Sequence, residues 1–84
     1  MKLQDELTNI ENTFKANLHK IKAHASYLKE NGGYKDFDLR LTWDCLNGLF
    51  DSNVICTWYK NYNCNDNHIT TAGKRALRNL GIIN

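Results

Sequence analysis

The chain has no proline, no apolar run near the roughly 18 residues that span a bilayer, and no paired cysteine knuckle of the kind that holds structural zinc. Long helices are free of proline breaks, and without a long apolar run no membrane span is expected. The start, Met1-Lys2-Leu3-Gln4-Asp5-Glu6-Leu7, lacks the basic and continuous apolar regions of a secretory signal, so the expected location is the cytoplasm. The cysteine count is three. An odd number agrees with a reducing compartment and with free thiols packed as small hydrophobes.

Catalytic patterns are missing too. A Cys–His pair is present, but no third orienting group or oxyanion loop accompanies it, and Gly32-Gly33 has no phosphate-loop context. Cys56, Cys64 and His68, with Cys45 as a fourth donor, lack knuckle spacing. The expectation is therefore no enzyme, no cofactor and no metal. There is no internal repeat, low-complexity tract or linker.

What is present suits one globular domain. A chain of 84 residues buries on the order of 60–65% of its unfolded surface, and 42% hydrophobic residues exclude a disordered tail. The net charge of +2 is too small to imply a polyanion partner by itself. Its sign alternates along the chain: residues 1–14 and 35–51 are acidic, and residues 15–34 and 52–84 are basic.

Leu3, Leu7, Ile10, Phe14, Leu18, Ile21, Ala25 and Leu28 recur every three or four residues, the spacing of one helical stripe. The pattern begins as a heptad and slips at Asn17, where the helix is open to a break. Residues 1–31 thus predict a long amphipathic helix stopped by Gly32-Gly33. At 1.5 Å per residue it would reach about 40 Å, more than a domain this small needs to cover its core. Its surplus turns, with Leu3, Leu7, Ile10 and Phe14, are the expected dimer or partner interface.

Residues 34–84 read as helix, β-hairpin, helix. Asp38 or Thr42 caps a segment with Leu39, Trp43, Leu46 and Phe50 on one face. Gly48 weakens that segment by roughly 1 kcal/mol, which close packing would explain. Val54-Ile55-Cys56-Thr57-Trp58-Tyr59 alternates like a strand, the Asn-rich residues 61–67 read as a loop, and His68-Ile69-Thr70 returns. Thr70 or Thr71 then caps a final basic helix.

This order, with Val54-Ile55, a polar wing and Ile69-Thr70-Thr71-Ala72-Gly73-Lys74, resembles a winged helix-turn-helix domain over residues 34–80. The resemblance implies a mainly α fold with a small β-hairpin and a nucleic-acid partner. The residues matching the recognition helix carry Asp44 and Asn47 but no Lys or Arg, with Asp51 just beyond. Phosphate contact is therefore expected instead from Lys60 and Tyr62 on the wing, Lys74, Arg75 and Arg78 on the last helix, and Lys20 and Lys22 on the first. The competing expectation is a protein-interaction module, in the style of the small accessory proteins of phages and mobile elements that inhibit or adapt a larger machine.

Overall fold

In the computed structural model, the backbone of residues 3–62 and 65–84 and the side chains of residues 8–61 and 65–84 are described. The described chain forms five helices and no strand: α1 (Leu3–Ala16), α2 (Leu18–Asn31), α3 (Phe37–Leu49), α4 (Ser52–Tyr62) and α5 (Asp66–Asn79). No helix among them is long and apolar enough to cross a membrane.

The expected long helix breaks at Asn17, whose backbone leaves the helical region at φ −116° and ψ 27°. Its side-chain amide donates to the Thr13 carbonyl at 2.8 Å, satisfying a group the break would leave open. Two helices of 14 residues, about 21 Å each, replace one of about 40 Å. The surplus reach is gone. Ile10 and Phe14 are fully buried in the chain's own core, which corrects their assignment to a partner interface. The side chains of Leu3 and Leu7 lie outside the described residues.

The hairpin is the larger correction. Residues 54–59 belong to α4, where Ile55 and Trp58, three apart, are buried while Val54, Cys56 and Thr57 are exposed. A short apolar run fits a period of 2 or 3.6 about equally well, and here the flanking polar residues decide. Asp51 accepts the Asn53 N–H on its carboxylate at 2.9 Å and the Val54 N–H on its carbonyl at 2.9 Å, so the supposed strand-opening turn starts a helix. The Asn-rich segment acts likewise. Asn65 caps α5 by accepting the His68 N–H on its side chain, and His68 Nδ1 accepts the Asn65 N–H in return. His68, Ile69 and Thr70 are therefore helical, and Thr70 and Thr71 are interior residues rather than caps. Asp36, not Asp38 or Thr42, caps α3 through the Leu39 N–H at 3.1 Å.

The helix α5 packs chiefly on α1 and α3, and α2 packs chiefly on α3. Ile69, Ala76 and Leu77 of α5 meet Ile10 and Phe14 of α1 and Leu41 and Leu46 of α3 in one core. Gly81, at φ +75°, ends the last helix in a Schellman turn: the Ile82 N–H bonds to Leu77 O and the Gly81 N–H to Arg78 O. That turn folds Ile83 back into the core.

Candidate interaction face

The residues expected to hold phosphate are spread over three helices, α2, α4 and α5. Lys60 is exposed on α4, where there is no wing, and the side chain of Tyr62 lies outside the described residues. Trp58 is buried edge-on against Phe50, with ring centroids 5.3 Å apart, so it offers no stacking surface. Lys74 is half-buried, with Nζ 4.0 Å from the Asp36 carboxylate, while Arg75 and Arg78 are exposed on the outer side of α5. Lys20 and Lys22 are exposed on α2, two residues apart and so on different sides of that helix. Two acids lie among these cations: Asp36, the cap of α3, beside Lys74, and Asp44 of α3, which lines one groove with Lys20.

The polar and aromatic groups converge instead along α2 and α3. Helix α2 presents Ile21, Ala25 and Leu28 to the core, which turns His24 toward α3 at the edge of the stripe. The His24 Nε2–H donates to the Asp44 carboxylate at 2.7 Å, since a carboxylate can only accept. Arg40, one turn before Asp44, reaches the same carboxylate with Nε at 3.1 Å. The Arg40 guanidinium also lies over the Tyr34 ring, 5.3 Å from its centroid. On the other side, His24 stacks on Tyr27, which is 58% exposed. One chain of contacts therefore runs Tyr27, His24, Asp44, Arg40, Tyr34 across α2, α3 and the connection between them.

A hollow lies on either side of that chain. Between α2 and α3 a groove of about 620 Å³ is floored by Ile21, Cys45 and Leu49 and rimmed by Lys20 and Asn47. At the start of α3 a shallower hollow of about 440 Å³ exposes the apolar sides of Tyr34, Leu39 and Trp43. Burial, and secondarily the adjacent Asp44 carboxylate, push the Cys45 thiol up to about 11. A thiol held protonated at neutral pH is a poor nucleophile, so Cys45 serves as floor.

In the sequence His24 carries no local sign of a role, and Asp44 reads only as an acidic residue that opposes phosphate contact. The Arg40–Asp44 spacing of four was a usable signal. The pairing of His24 with Asp44, twenty residues apart, is tertiary and left no local trace. Among the described residues, no group of three or more His, Cys, Asp and Glu side chains is arranged to hold a metal ion. No protein-family model, curated protein or solved structure matches the chain.

Proposed function

We propose that this chain is a small non-enzymatic interaction module that docks a larger protein through its α2–α3 face. The observation that carries the reading is Arg40, held between the Tyr34 ring and the Asp44 carboxylate beside a hollow lined by Tyr34, Leu39 and the half-buried Trp43. Tyr, Trp and Arg are the residues that most often anchor interfaces, and an Arg already ordered by two neighbours loses less side-chain entropy on binding. A homodimer through the first helix forms no part of this reading, because Ile10 and Phe14 serve the chain's own core.

A second reading keeps a nucleic-acid partner, favoured by Arg75 and Arg78, exposed and three apart on the outer side of α5. Affinity capture from the native host separates the two. The interaction reading expects a protein that survives nuclease treatment, is lost with Arg40→Ala and Trp43→Ala, and is kept with Arg75→Ala and Arg78→Ala. The nucleic-acid reading expects duplex DNA affinity that falls steeply between about 50 and about 200 mM salt and depends on Arg75 and Arg78. That second result, with no protein captured, would overturn the first reading.

A further inference from the structure

Gly48, which has no side chain, is among the residues that line the groove between α2 and α3. Gly48, in the last turn of α3, has nothing within 4 Å of the position a Cβ would take. A helical glycine costs up to about 1 kcal/mol relative to alanine, and no neighbour needs the room. Apolar Ile21, Cys45 and Leu49 also line the groove.

The charges around the groove are unevenly satisfied. Asp44 is engaged by both His24 and Arg40, so its negative charge is answered within the wall. Lys20 on the opposite rim is exposed and has no ion-pair partner among the described residues. The Asn47 side chain, also exposed, has no hydrogen-bond partner among them. An apolar floor beside one unanswered cation and one free amide complements an apolar group carried next to a carboxylate.

We infer that this groove receives a helical segment of the partner protein, which seats one Leu- or Phe-sized side chain beside Gly48 and sets an Asp or Glu, one turn away, on Lys20. The inference rests on the interaction reading above and supplies the chemistry of the partner. A groove between two helices suits the helix-in-groove mode, with anchors three or four residues apart. A small carboxylate is a poorer occupant, since small ligands are held in sites that cover 70–90% of their surface and this groove is open along its length.

The test is a displayed library of randomised helical peptides panned against the intact chain. Enriched peptides are then synthesised and titrated into ¹⁵N-labelled protein. The expected consensus pairs an apolar residue with Asp or Glu three or four positions away, and shifts the amides of Lys20, His24, Asn47 and Gly48. Gly48→Leu, which fills the groove from a site with open space, is expected to weaken binding at least tenfold. Lys20→Glu, a surface change that leaves packing untouched, is expected to weaken it about fivefold. Peptides that bind Gly48→Leu and Lys20→Glu as tightly as the parent, or a consensus without an acid, would overturn the groove assignment while leaving the interaction reading in place. Failure of every peptide, with dodecanoate or duplex DNA binding instead, would retire both.

Discussion

Gly73 of α5 faces the Thr42 side chain of α3 so closely that a Cβ on Gly73 would stand 2.6 Å from Thr42 Cγ2. Thr42 cannot easily yield. It is fully buried, its χ1 is stiff, and its hydroxyl donates to Asp38 O at 2.7 Å. Replacing Gly73 by alanine would gain about 1 kcal/mol of helix propensity, yet the overlap costs about 1–3 kcal/mol and forces the two helices apart. The expected outcome for Gly73→Ala is net destabilisation, read as a lower urea midpoint. Thr42→Ser keeps the hydroxyl and deletes the methyl, so it should recover most of the loss in the double variant. Additive effects in that cycle would refute the contact.

The other helical glycine predicts the opposite sign. Gly48 is exposed with open space around its missing Cβ, so Gly48→Ala meets no neighbour. Thermal unfolding should show a gain of about 0.5 kcal/mol, the lower end of the usual range because the position lies in the last turn. A loss would mean that the glycine has a backbone role.

These two glycines mark the limit of what residue order reveals. A glycine inside a helix signals either a close approach or unfilled space, and only the partner helix decides which. Close packing was expected at Gly48 and is found at Gly73. Local signals read well where one element settles them: the stripe from Ile10 to Leu28, its slip at Asn17, and the glycines that stop α2 and α5. They read poorly at Asp51 and Asn65, because turn-forming and helix-capping residues are the same chemical types. The run from Val54 to Tyr59 is too short to show its period, and as a strand it would make turns of the two caps that flank it. The candidate face was the least legible part, since His24 and Asp44 meet only through tertiary packing.

The buried first helix changes what an interface mutation would do. Ile10 is wholly enclosed, and Ile10→Ala should cost about 2–5 kcal/mol, a large share of the roughly 4–13 kcal/mol expected for a chain this size. Ile10→Asp should lose helical circular dichroism at every protein concentration. A folded monomer from Ile10→Asp, alongside a dimeric parent, would restore an interface role for that residue.

The start of α5 depends on a reciprocal pair. Asn65 accepts from the His68 N–H at 3.3 Å and its own N–H is accepted by His68 Nδ1 at 3.1 Å. Asn65→Ala should cost about 1 kcal/mol, and Asn65→Asp, which keeps the accepting oxygen, considerably less. Hydrogen exchange should localise the loss to the first turn of α5, with little change at Ala76 and Leu77.

Two thiols should differ in reactivity and in their effect on pH stability. In a Cys64→Ser background, exposed Cys56 should react with a disulfide reagent in the native protein, while buried Cys45 should react only on unfolding. The ordinary thiol value is 9.0, and burial followed by the Asp44 carboxylate raises the folded Cys45 to about 11. Between those values the unfolded chain has released a proton that the folded chain retains, so raising the pH favours unfolding. The contribution of Cys45 is fully present below pH 9 and is lost as pH climbs toward about 11. Urea unfolding of the parent and of Cys45→Ala across that window should show a steeper decline in the parent. Parallel declines would mean that Cys45 ionises in the fold as readily as in the unfolded chain, and that the groove floor is wetter than its packing implies.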